Sequence, residues 1–179
     1  MINKNSRKKV ALIISPNGFC DEEYYISANT FESFGVRYQI ASSELSIAAG
    51  MEGSLVKPDI KIGAIQIHEY NALCFIGGVG CTRYWYDDNA HRLAIAACKS
   101  GLVLGAICLA PVILANAGLL KGIRATAYPT AKNNMVRKGV YFSTKSVEID
   151  KNIITANGPE AAELFARKIS NILMQSSSK

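Results

Sequence analysis

Apolar residues along this chain follow two rhythms. Short unbroken runs alternate with stretches where apolar side chains recur every three or four positions. Val10–Ser15 (VALIIS) is the first run and ends at Pro16-Asn17-Gly18. A run without polar alternation predicts a strand buried on both faces. Asp21–Phe34 has helical spacing, with Tyr24, Ala28, Phe31 and Phe34 on or near one stripe and Gly35 as the stop. Val36–Ser42 predicts a second strand, so the chain opens β-α-β, the unit of a parallel sheet. Leu45–Ile67 differs, because Gly50, Gly53 and Gly63 interrupt short alternating stretches. It predicts small strands or a hairpin at one edge.

The alternation then resumes. Ala72–Ile76 (ALCFI) predicts a buried strand running into Gly77-Gly78-Val79-Gly80. Asp88–Ser100 predicts a helix and Leu102–Ile107 the next strand. Cys108 follows that strand directly, and Pro111 opens a helix that Gly118 stops. Ile123–Ala127 is strand-like, and Thr130–Lys138 predicts a short helix. Val140–Asp150 and Asn152–Ala156 predict an antiparallel pair, and Pro159–Met174 a closing amphipathic helix. The pattern specifies one α/β domain over residues 9–175, a doubly wound, mainly parallel sheet with helices on both faces. Residues 1–8 read as a disordered basic leader and 176–179 as a frayed tail.

Composition agrees with a globular chain: 179 residues, 49% hydrophobic and 19% charged. No apolar run has membrane-spanning length, since Gly105, Pro111, Asn116 and Gly118 break the longest. With no secretory signal pattern either, the expected location is cytoplasmic, with no membrane partner. The net charge is +6, partly from Lys4, Arg7, Lys8 and Lys9. No basic stripe is interleaved with aromatics, so no specific nucleic-acid partner is expected. Five cysteines without a C-x-x-C pair, and only two histidines, argue against a zinc site. No metal and no cofactor are expected.

Chemistry should gather at the carboxyl ends of the strands. Four loops are expected to meet there: Ser15–Asp21, Gly77–Tyr86, Cys108–Pro111 and Ala127–Thr130. Cys108 lies between strand and helix, where a side chain projects into the cleft. The following helix start would favour a thiolate there. The same position also suits a merely buried thiol. Glycines 77, 78 and 80 let backbone amides approach a substrate oxygen, or simply make a turn. Asp21, Glu22 and Glu23 suit a helix start, and Glu23, one turn in, is the one placed to point inward. A carboxyl beside a sulfur has a raised pKa and trades protons with it. Tyr84-Trp85-Tyr86 either walls the pocket, forms a partner surface or packs ordinarily.

These segments together resemble the ThiJ/PfpI superfamily, which includes the Parkinson-disease protein 7 group and the intracellular protease I group. The resemblance spans about Lys9–Met174. It rests on Gly18-Phe19-Cys20-Asp21-Glu22-Glu23, Phe75-Ile76-Gly77-Gly78, Ala106-Ile107-Cys108-Leu109-Ala110-Pro111, Ala127-Tyr128-Pro129 and Asn157-Gly158-Pro159. It implies a flavodoxin-like three-layer α/β/α sandwich with a strand-Cys-helix nucleophile elbow, usually a homodimer. It places Cys108 on the reactive cysteine and Glu23 on its partner. It gives oxyanion-hole amides to Gly78 and Leu109, and a position near the sulfur to Tyr128. Gly77, Cys20 and Cys81 are expected around the pocket. Protease-like members carry histidine where this chain has Leu109, so a cysteine peptidase is disfavoured. The absence of any histidine after His91 removes a glutamine amidotransferase.

The resemblance implies a stress-response protein with glyoxalase or deglycase chemistry on small reactive carbonyl compounds such as methylglyoxal. The alternative is a redox sensor or chaperone in which an oxidant converts Cys108 to a sulfinate. Cys20 and Cys81 either resolve oxidised Cys108 into a disulfide or pack under their loops.

Overall fold

The computed structural model describes residues 8–175. Its strands are β1 (Lys9–Ile13), β2 (Asn17–Phe19), β3 (Arg37–Ser42), β4 (Ala48–Gly50), β5 (Leu55–Val56), β6 (Ile60–Lys61), β7 (Ala72–Phe75), β8 (Val103–Ile107), β9 (Arg124–Ala125), β10 (Tyr141–Phe142), β11 (Val147–Asp150) and β12 (Ile153–Ala156). Its helices are α1 (Asp21–Ser33), α2 (Asp88–Lys99), α3 (Pro111–Asn116), α4 (Lys132–Arg137) and α5 (Ala162–Gln175). The main sheet has seven strands in the order β11-β12-β8-β7-β1-β3-β6, and β11 alone runs antiparallel to its neighbour. No helix among the described residues is long and apolar enough to cross a membrane.

The unbroken apolar runs are explained by burial on both faces. Ala11 and Ile13 of β1, Leu73 and Phe75 of β7, and Leu104 and Ala106 of β8 share one core with Leu93, Ala94 and Ala97 of α2 and Val112 and Ile113 of α3. The alternate residues Val10, Leu12, Cys74 and Val103 share the other core with Tyr24, Ala28 and Phe31 of α1 and Phe165, Ala166 and Ile169 of α5. Period-two alternation thus sends successive side chains into two apolar layers. The result is the three-layer α/β/α sandwich. Gly105 lets α5 come close: a Cβ there would stand 2.8 Å from Phe165 and 2.9 Å from Ile169.

Two local differences from the expected elements matter. Asn17–Phe19, read as loop, is β2, which forms a small second sheet with β4 and β5. Tyr141–Phe142 pairs with β9 rather than joining the β11–β12 hairpin. The short helix opened by Pro111 runs to Asn116, one residue short of the expected end, and has six residues. The basic leader lies outside the described residues apart from Lys8, and so does the tail 176–179.

Candidate active site

Strand β8 ends at Ile107, and Cys108 turns the chain sharply with φ 64°. That left-handed conformation costs a non-glycine residue about 1–2 kcal/mol and persists only when its neighbours enforce it. They do so here through both backbone polar groups. The Cys108 N–H donates to Ala156 O at 2.9 Å, and its carbonyl accepts from the Tyr128 N–H at 2.8 Å. The elbow is therefore locked between β12 and the loop before α4. Trp85 Nε1 donates to the Leu109 carbonyl at 3.0 Å and steadies the next residue. The Leu109 amide takes no hydrogen bond among the described residues.

Glu23 comes from the first turn of α1 and is fully buried, at 0% exposure. Its Oε2 accepts from the Gly77 N–H at 2.9 Å. Gly77 fits because it has no side chain: a Cβ there would stand 2.5 Å from Cys108 Cβ and 2.7 Å from Glu23 Oε2. The Cys108 and Cys20 thiols lie beside this carboxyl and favour its charge. Neither gives Oε1 a hydrogen bond of regular geometry, and Oε1 has no other partner among the described residues. Gly78 has φ 94°, and a Cβ on it would meet Gly18 O at 2.4 Å and Cys20 N at 2.5 Å. Only glycine brings that amide against the Cys108 sulfur, where it favours the thiolate.

Burial decides the protonation of the pair. Desolvation raises the Glu23 carboxyl to about 7, although Cys108, Gly77 and Cys20 pull it down. Desolvation and then the Glu23 charge push the Cys108 thiol up to about 12, and the Gly78 amide opposes them only in part. The preformed thiolate expected from the sequence is therefore corrected. α3 is too short to act as a strong dipole, and the Ala110 N–H is already bonded to Ile107 O at 3.0 Å. The resting site is a thiol beside a carboxyl group poised to take its proton.

The site opens into a cleft of about 380 Å³, with Cys108 8% exposed. All four expected loops reach it, through Cys20, Gly78, Val79, Cys108, Leu109, Tyr128 and Thr130. Glu22 and Glu23 come from α1. The sequence reading missed Met51, Glu52 and Pro159. Pro159 belongs to a quoted motif, but Met51 and Glu52 carry no local signal beyond the glycines on either side. Their placement depends on Asp21, whose carboxylate accepts from the Glu52 N–H and the Ser54 N–H, each at 2.9 Å. Burial works against that charge, but the Ser54 and Glu52 hydrogen bonds prevail and hold Asp21 below the usual carboxylate range. Asp21 is thus a clamp on the β4–β5 turn, and no side chain caps α1 by hydrogen bond.

Two expected pocket residues stand elsewhere. Cys81 is fully buried in the core beneath the glycine loop and does not line the cleft, because its 3-10 turn points it inward. Gly77 lies behind the cleft wall as the donor to Glu23. Among the described residues no histidine lines the cleft. His91 bonds the Trp85 carbonyl at 2.9 Å, and His68 sits in a 3-10 turn at a separate groove. Two of the three aromatics pack: Tyr84 is buried with its hydroxyl donating to Ile14 O and Trp85 is half-buried, whereas Tyr86 is 76% exposed.

An α/β sandwich with a strained cysteine elbow and a buried glutamate at its thiol defines a class of cysteine-centred α/β proteins. The family model that matches residues 8–172 makes it specific: the chain belongs to the DJ-1/PfpI family. An uncharacterized protein of Methanocaldococcus jannaschii is 34% identical over 164 residues, covering 90% of this chain and 80% of that protein. A deglycase of Pyrococcus horikoshii is 30% identical over 155 residues, covering 87% and 92%. The crystal structure of a ThiJ/PfpI domain protein from Brachyspira murdochii superposes with a TM-score of 0.92 at 28% identity, covering 94% and 98%.

Proposed function

We propose that the protein converts small reactive aldehydes such as methylglyoxal, with Cys108 as nucleophile and Glu23 as its proton shuttle. The observation that supports this most directly is the fully buried Glu23 carboxyl beside the Cys108 thiol, with a pKa raised to about 7. A base with that pKa is half ready at neutral pH to accept a proton and to return it. The deglycase name of the Pyrococcus horikoshii relative supports the same class of chemistry.

Glu23 takes the thiol proton as Cys108 Sγ adds to the aldehyde carbon. The amides of Gly78 and Leu109 hold the oxygen that becomes negative. Glu23 returns the proton to that oxygen and leaves a hemithioacetal. The carboxylate then removes the proton on the attacked carbon and delivers it to the neighbouring carbon, while the hydroxyl proton passes to the neighbouring oxygen, which yields a lactoyl thioester. Water hydrolyses the thioester to lactate and restores the thiol. Overall, methylglyoxal and one water become lactic acid. Among the described residues the cleft lining carries Glu22, Glu23 and Glu52 and no cation, a balance that disfavours a carboxylate substrate and favours release of an anionic product.

Purified protein incubated with methylglyoxal should form lactate. Cys108→Ser should abolish it, and Glu23→Gln should slow it by roughly 10²–10⁴-fold. Lactate no higher than with heat-killed protein would sink the aldehyde reading.

A further inference from the structure

We propose that Cys20 is the resolving thiol of this cleft, so that the protein reduces a hydroperoxide at the expense of a Cys20–Cys108 disulfide. Among the described residues Cys20 is the one other cysteine that lines the cleft with Cys108. Cys74 and Cys81 are at 0% exposure in the two cores. Cys98 stands on α2, which packs against the opposite face of the sheet from α1.

The backbone places Cys20 and Cys108 on two sides of one glycine. The Cys20 N–H donates to Gly77 O at 3.1 Å, and a Cβ on Gly77 would stand 2.5 Å from Cys108 Cβ. Both residues line the same cleft, Cys20 from the loop ahead of α1 and Cys108 from the elbow. The Glu23 carboxyl lies beside both thiols, and its Oε1 is buried without a hydrogen-bond partner among the described residues. One base therefore serves both sulfurs. Burial first, and the Glu23 charge after it, keep both thiols protonated at rest.

The steps balance with a hydroperoxide as oxidant. Cys108 gives its proton to Glu23 while its sulfur attacks the terminal peroxide oxygen. An S–O bond forms, the O–O bond breaks, and the departing alkoxide takes the proton from Glu23. Cys108 is then a sulfenic acid. Cys20 gives its proton to Glu23 and attacks that sulfur. The S–S bond forms, and hydroxide leaves with the Glu23 proton as water. The two thiols supply the two electrons, and an external dithiol restores them by exchange. Without Cys20, the sulfenic acid meets further oxidant and goes on to sulfinic acid.

Trypsin releases Cys20, Cys98 and Cys108 on three separate peptides, with Cys74 and Cys81 together on a fourth. Full-length protein would be treated with one equivalent of hydrogen peroxide, blocked with an alkylating agent and digested without reductant. The dominant cross-link should join the Cys20 and Cys108 peptides and disappear with dithiothreitol. In Cys20→Ser, excess peroxide should drive Cys108 to sulfinic acid severalfold faster than in the wild type. A cross-link to the Cys81 or Cys98 peptide would overturn the proposal. Sulfinic acid forming in the wild type as fast as in Cys20→Ser, with no cross-link, would overturn it as well. The wild-type peptide map stands without any variant, and no aldehyde enters the assay. This experiment and the lactate assay can therefore fail independently.

Discussion

Cys108 and Glu23 illustrate how burial sets chemistry one residue at a time. An unfolded Glu23 ionises near 4.5, whereas the folded carboxyl does so at about 7. Between those values the folded chain keeps a proton that the unfolded chain has lost. Stability therefore falls as pH rises through that window and levels off above it, by about 3 kcal/mol in all. Glu23→Gln removes this loss. Its denaturation midpoint should stay nearly flat from pH 5 to pH 8, while the wild type declines. Turnover should move the other way. The wild type's kcat/KM should rise with pH along an acidic limb near pH 7, because the carboxylate is the base, and Glu23→Gln should lose that limb. A wild-type profile flat from pH 5 to pH 8 would show that Glu23 does not titrate in the reaction. The elbow was legible in the sequence because a buried strand stops at Cys108 and Pro111 starts a helix. Its protonation was not legible, since desolvation and the approach of Glu23 arise from tertiary packing.

At the scale of elements, the sheet was the readable part. β1, β7 and β8 show as unbroken apolar runs because both faces of each are covered. The two-residue strands β9 and β10 exist only through their pairing with each other, across a separation that no local pattern encodes. The same holds for the cleft wall at Met51 and Glu52. Asp21 reads locally as one member of an acidic helix start, yet its carboxylate bonds the turn some thirty residues on. Gly50 is part of that design, since a Cβ there would collide with the Asp21 carboxylate. Asp21→Ala strands two amides that had a charged acceptor, a loss of about 1.5–3 kcal/mol. Amide exchange at Glu52 and Ser54 should speed up, exchange in β1 should keep its rank as slowest, and KM should rise more than kcat falls. Unchanged exchange at Glu52 and Ser54 would remove Asp21 from the role of clamp.

At the scale of the molecule, the apolar surface is unevenly spread. Ile47 beside β4 is 60% exposed, Met51 53%, Leu55 on β5 70%, and Val79 61%. These residues belong to one neighbourhood. β4 pairs with both β2 and β5, and a Cβ on Gly18 in β2 would touch Val79 at 3.1 Å. Exposed apolar side chains grouped in this way suit a surface that a partner could cover. We expect a second copy of this chain there, as a homodimer. Such a partner would sit beside the mouth of the cleft, because Met51 and Val79 line the cleft as well. Dimerisation and catalysis would then share residues. Leu55 does not line the cleft, so Leu55→Glu tests the surface without touching the chemistry. A charge buried in a two-fold contact costs desolvation twice, once in each copy. Sedimentation equilibrium should show the wild type at twice the chain mass and Leu55→Glu at the chain mass. If the turn needs the partner to hold Met51 in place, the monomeric variant should also bind aldehyde more weakly while keeping its acidic limb near pH 7. A wild type that sediments as a monomer, or a Leu55→Glu that stays dimeric, would move the interface elsewhere on the surface.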